Sequence, residues 1–198
     1  MSTLFVDTVE PEGATTTLTL GASGDTISIP AGVTIANSGT ATGFGGGKVL
    51  QVLQATKTDS ETTTTAGWDD VTGLSIAITP SAVTSKVLVM TNVLCVGTVG
   101  AAGAWTNIVR DSTQIAMATS AGSRVAASAF GYAPDAGDTR HHSTVWLDSP
   151  ATTSATTYKV QFSANGTNTA YINRTENATD SNAYARGVST ITVMEIGA

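Results

Sequence analysis

One cysteine, two histidines and few charges leave this sequence short of the residue types on which most enzyme and metal chemistry rests. The single cysteine, Cys95, excludes an internal disulfide, so unusual robustness has to come from another source, such as association of chains. It sits in the strand-like run VLVMTNVLCV, where it reads as a small buried apolar side chain rather than a nucleophile or metal ligand. The histidines, His141 and His142, are neighbours, and neighbours on a strand face opposite sides. At most one of them can join a site on that strand, which leaves little for a triad of nucleophile, histidine and carboxylate. Nucleophile elbows and paired metal-ligand spacings are missing, and the run GFGGG lacks the following helix that a phosphate loop needs. We expect no enzyme and no cofactor.

Charged residues make up 12% of the chain, roughly half the usual share, so solubility rests on threonine, serine and asparagine. The net charge of −6 and pI near 4.6, with no cluster of lysine and arginine, argue against nucleic acid and anionic membranes as partners. No stretch approaches the roughly 18 to 20 apolar residues that span a bilayer; Val87 to Trp105 is broken by Thr91, Asn92 and glycines. Membrane insertion is therefore not expected. The opening MSTLFVDTVEPEG lacks the basic start and apolar run of a secretory signal, which points to synthesis in a cytoplasm.

What is present is β-forming. Threonine and valine are β-branched and favour pleated strands, and the 20 glycines supply turns, so the chain reads as all-β. Two textures alternate along it. Residues 1–47 form an attachment arm or stalk: short alternating runs at Leu18 and Leu20, Ile27 and Ile29, and Val33 and Ile35, then a Gly-rich hinge at 37–47. Runs this short are marginal alone, because ordering costs about 1 to 2 kcal/mol of backbone entropy per residue. Sister chains would supply the missing partners. Residues 48–198 form a head with strands expected at 49–57, 68–78, 86–96, 106–110, 114–118, 124–132, 142–147, 157–164, 170–173 and 187–196. Such spacing, without a helix, predicts an antiparallel jelly-roll-type β-sandwich. In VSTITVMEI the apolar face is read as Val188, Ile191, Val193 and Ile196, with Met194 and Glu195 outward or at an edge. TPSAVTSKVLV and SPATTSATTYKVQF look like one corner used twice, each running from a proline into a lysine that opens a strand.

Some residues could carry chemistry. The acidic pairs Asp69 with Asp70 and Asp135 with Asp138 could serve glycoside hydrolysis in principle, though carboxylates are common in turns. Asp138, His141 and His142 are weak candidates for a metal ligand set repeated around a threefold axis, a solvated loop being the plainer reading. Asn165, Asn173 and Asn177 begin N-x-Ser/Thr triplets that threonine abundance alone explains. Trp68, Trp105 and Trp146 read as core or subunit packing. Tyr132, Tyr171 and Tyr184, with Arg124, Arg140, Arg174 and Arg186, offer the chemistry enriched at binding hot spots. Of these, Tyr132, Arg140, Tyr171, Arg174 and Tyr184 are the candidate contacts of a binding surface.

The opening STLFVDTVEPEGATTTLTLGASGDTISIPAGVTI resembles the N-terminal segment of tail-fibre-like proteins of marine bacteriophages, including cyanophages. KVLQVLQATKTD, WDDVTGLSIAITPSAVTSKVLV, RDSTQIA, LDSPATTSATTYKVQF and ARGVSTITVMEIGA are similar to the head domain of the same proteins. The resemblance implies a parallel homotrimer with a TNF- or C1q-like head, exposed on the virion. It implies attachment to another virion protein through the arm, at Leu4, Phe5, Val6 and Val9. A host surface glycan or outer-membrane protein is the implied receptor. The alternatives are a capsid-surface decoration or other minor virion protein without a receptor and, further off, a glycan depolymerase.

Overall fold

The structure, a computed structural model, describes residues 17, 22–33, 47–100, 103–164 and 168–197. The chain divides into two compact units, Met1–Phe44 and Gly45–Ala198. Within the first, Asp25 N donates to Ala22 O at 3.0 Å and Ala22 N donates to the Asp25 carboxylate at 2.7 Å, closing a turn over Gly24. A second turn closes from Val33 N to Pro30 O at 3.3 Å over Gly32. The Gly, Asp and Pro turns are thus formed, but residues 22–33 make no strand, and Ile27, Ile29 and Val33 remain exposed. Leu4, Phe5, Val6, Val9, Leu18, Leu20, Ile35 and the hinge up to residue 46 lie outside the described residues.

The second unit holds β1 (Val49–Lys57), β2 (Glu61–Thr63), β3 (Asp69–Ile78), β4 (Lys86–Gly97), β5 (Ala104–Arg110), β6 (Thr113–Ile115), β7 (Ala129–Gly131), β8 (His141–Asp148), β9 (Thr156–Ser163), β10 (Ala170–Ile172) and β11 (Ser189–Ile196). All pairings are antiparallel. Twelve-residue β4 organises the first sheet: β8 runs along one edge, while β11 and then β10 share the other. β1 and β2 pair with the far sides of β11 and β10. In the second sheet β3 pairs β9, β9 pairs β5, and β6 and β7 share the free edge of β5. Three such end-to-end pairs reduce the eleven strands to eight lanes, four in each sheet. The lane order is β8, β4, β10/β11, β1/β2 against β6/β7, β5, β9, β3. The chain changes sheet at every step between lanes except the β5–β6 hairpin, which is the double Greek key of a jelly roll.

The core lies between the sheets. Val87, Val89, Val93 and Cys95 of β4 and Ile191 and Val193 of β11 meet Leu74, Ile78, Ile108, Tyr158, Val160 and Phe162 of the opposite sheet. β9 and the first half of β4 bury alternate residues, as a pleat with one wetter side must. Cys95 is one of the fully buried side chains, and burial raises its thiol pKa.

Three departures from the expected elements have identifiable causes. β2 was not foreseen, because its short threonine-rich segment is specified by its partner β10 rather than by its own pattern. The strand expected at 124–132 shrinks to β7, since a turn from Ala121 to Arg124 and the Ala118 N to Ala127 O bond fold the chain back first. Glu195, expected outward or at an edge, points inward with only 1% of its surface exposed.

Candidate functional site

Register decides which side chains share the outer face of the first sheet. Leu147, Leu88, Met194 and Val52 form one row across its four lanes, and Val145, Met90, Thr192 and Gln54 form the next. Thr190, Asn92 and Ser143 follow, then Leu94 and His141. The two ends of this face differ. Towards the end where the chain enters at Gly47 and Lys48, Val145 is 66% exposed and Leu147 54%, with Val49 and Val52 also uncovered. Towards the opposite end, Leu94 and Val96 face the same way yet are buried. The segment 174–188 covers Leu94: a Cβ on Gly187 would stand 2.5 Å from Leu94 Cδ2, so a larger residue there would have to push the leucine aside.

This roof is an excursion between β10 and β11, and its root is Asn173. Asn173 holds a left-handed φ of 57°, a conformation asparagine tolerates better than most residues. Its Nδ2 donates to Lys57 O at 2.8 Å and Asp59 O at 3.0 Å, and its Oδ1 accepts from the Ser189 hydroxyl at 2.6 Å. Gly187 N donates to Asn173 O at 3.1 Å, so the segment leaves and returns at one point. Neighbouring loops brace it: Asn177 N donates to Ala136 O at 3.0 Å, and the Glu176 carboxylate accepts from Val99 N at 2.7 Å.

Inside the roof is a concavity of about 210 Å³, whose walls include Arg174, Thr179, Asp180, Ser181, Tyr184 and Arg186. The Arg174 guanidinium lies 4.7 Å from the centre of the Tyr171 ring. It also donates to Thr175 O and Glu176 O, each at 3.0 Å. Three of the expected contact residues, Tyr171, Arg174 and Tyr184, therefore fall together. Arg140 and Tyr132 belong to the adjoining 132–140 segment and do not line the concavity; Arg140 pairs with Asp138 at 3.2 Å. Arg186 joins the site because the segment doubles back on itself, a feature that residue type alone does not announce.

The remaining candidates are separated. His141 points outward and bonds Asn92 Oδ1 through Nδ1 at 2.9 Å, whereas His142 points into the core, its Nδ1 3.1 Å from the Thr106 hydroxyl. Burial, with His141 adding a smaller repulsion, lowers the His142 pKa to about 4. Among the described residues no group of three or more His, Cys, Asp or Glu is placed to hold a metal. Asp69 bonds the Thr63 hydroxyl on the inner side, while Asp70 faces out to Lys159 at 2.6 Å and Gln161 at 2.7 Å. Asp135 accepts from Gly137 N at 2.7 Å in a turn. Trp105 and Phe130 are cross-strand neighbours on the second sheet and, with Arg124 and Val125, border a shallow hollow of about 420 Å³; Phe130 is 72% exposed.

The entry end of the sandwich is closed by polar clusters. Glu195 accepts from Ser81 N and the Ser81 and Ser85 hydroxyls at 2.6 to 2.7 Å, and from Gln51 at 2.7 Å. Burial alone would raise its pKa; the bonds from Ser81, Gln51 and Ser85 outweigh it and hold the carboxyl at about 2. Asp148 takes two bonds from Arg110 Nη1 at 2.8 and 3.0 Å and one from the Tyr158 hydroxyl at 2.7 Å, tying the sheets together. The two similar corners meet here, with Lys86 Nζ on the Ser149 hydroxyl at 2.7 Å. Gly47 N bonds Gly197 O at 3.1 Å and Gly197 N bonds Lys48 O at 2.8 Å, so the roof is far along the sheet from the point where the strands begin and end. No protein-family model matches the chain, and no curated protein matches it in sequence.

Proposed function

We propose that this chain is a non-enzymatic bacteriophage virion protein, a homotrimeric tail fibre or spike subunit that attaches the particle to a host surface glycan or outer-membrane protein. The observation that carries this reading is the bare half of the first sheet. Leu147, Val145, Leu88, Met90, Met194 and Val52 make a contiguous apolar field on a chain that has few charges and no disulfide. Fields of this kind on soluble proteins mark interaction surfaces. A closed cyclic trimer needs two different, complementary patches on each copy. Exposed Phe130, on the edge lane of the other sheet, and Val125, in the loop before it, form a second apolar patch that suits that requirement. Exposed Ile27, Ile29 and Val33 add a third set of side chains that sister chains would cover.

With the apolar field sealed, the roof and the 132–140 segment stay free to meet a receptor, and the arm is left to hold another virion protein. Three copies turn weak contacts into avidity. Size-exclusion chromatography with light scattering tests the reading: a mass three times that of the chain is expected, and a stable monomer at micromolar concentration overturns it.

A further inference from the structure

We propose that the concavity inside the 174–188 segment binds one anionic sugar unit, a hexose carrying a carboxylate or phosphate, with Arg174 and Arg186 as the anion ligands. This rests on the attachment reading and names the ligand class of that same surface.

Four observations converge. The walls carry two arginines against one acid, Asp180, in a chain whose net charge is −6, so the local sign is inverted. Arg174 is fixed in advance by two backbone carbonyls and the Tyr171 ring, which lowers the ordering cost of using its remaining N–H groups. Arg186 is exposed and has no hydrogen-bond or ion-pair partner among the described residues, so its guanidinium fork is available for bidentate contact with a carboxylate or phosphate. The space, about 210 Å³, is below the roughly 300 Å³ at which pockets for drug-sized ligands begin, and so suits a single small unit.

The other walls select a sugar over a bare anion. Asp180 and the Ser181 hydroxyl can accept from ring hydroxyls, while Asp180 repels a small anion that has no ring hydroxyls to offset the repulsion. Thr179 already gives its proton to Asn177 Oδ1 at 2.6 Å, which leaves its oxygen as an acceptor. Tyr184 adds an aromatic surface that suits the apolar side of a pyranose. Because the segment is clasped at Asn173 and braced by Ala136 and Val99, the walls exist before the ligand arrives.

Saturation-transfer NMR and calorimetry on the full chain would use D-glucuronate, glucose 6-phosphate, glucose and inorganic phosphate as probes. Binding of both anionic sugars is expected, at least about tenfold tighter than glucose and inorganic phosphate. Arg186→Ala should weaken it about tenfold or more with an unchanged melting temperature, and Arg186→Lys should recover part of the loss. Glucose or free phosphate binding as well as the anionic sugars, no binding of either anionic sugar, or indifference to Arg186→Ala overturns the proposal. A competition assay separates this site from the attachment reading. Chains that bind the sugars but do not block adsorption of particles carrying this protein refute attachment and leave the pocket standing. Chains that block adsorption equally with and without Arg186 refute the pocket and leave attachment standing.

Discussion

One sheet face carries two opposite solutions to the same problem. Leu94 is covered by the chain's own 174–188 segment, whereas Val145 and Leu147, on the same outer face, are left bare. β4 contributes to both halves, so strand propensity does not distinguish them. The difference is whether the sequence spends a loop on cover.

The sharpest way to break this contrast is to charge the bare half. Val145→Asp with Leu147→Asp should leave the chain folded, since exposed positions tolerate substitution within about 0.5 kcal/mol each. Association should weaken about 100-fold or more, read as a fall in mass by light scattering. The converse change, Leu94→Ala, removes a side chain from beneath the roof and should cost about 2 to 5 kcal/mol in denaturant unfolding while the mass is unchanged. A loss of assembly from Leu94→Ala, or of folding from the aspartates, would erase the distinction.

Acid sharpens it differently, because a buried group answers at each end. His142 has its pKa lowered to about 4, so its neutral state stabilises the fold fully above about 6.5 and that contribution fades as pH falls towards 4. Glu195 is held at about 2, so its contribution is present above about 4.5 and fades towards 2. Melting followed from pH 7 to 2 should therefore fall in two stages, each worth up to about 3 kcal/mol. His142→Asn should flatten the first and Glu195→Gln the second. The smallest expected effect is Tyr171→Leu, which removes the ring beneath Arg174; about 0.5 to 1 kcal/mol is expected, measured by thermal unfolding.

Much of the sandwich was legible because its strands carry their own pattern. Val49–Lys57 has its expected bounds, and the shared corners before Lys86 and Lys159 do meet at one end. The strand expected at 124–132 was cut short by a local turn, and the other two misses are non-local. Glu61–Thr63 is a strand because β10 lies beside it, and Glu195 points inward because Ser81, Ser85 and Gln51, distant in sequence, supply its hydrogen bonds. The site was half legible. Tyrosine and arginine chemistry picked out Tyr171, Arg174 and Tyr184, but their meeting with Arg186, and their distance from Tyr132, depend on how one segment doubles back over Leu94.

The clasp at Asn173 has one more consequence. Since the excursion departs and rejoins where Asn173, Gly187 and Ser189 are tied to one another and to Lys57, its interior can change in length or composition without shifting the register of β11 on β4. The register is thus pinned at the root of the excursion rather than along its length.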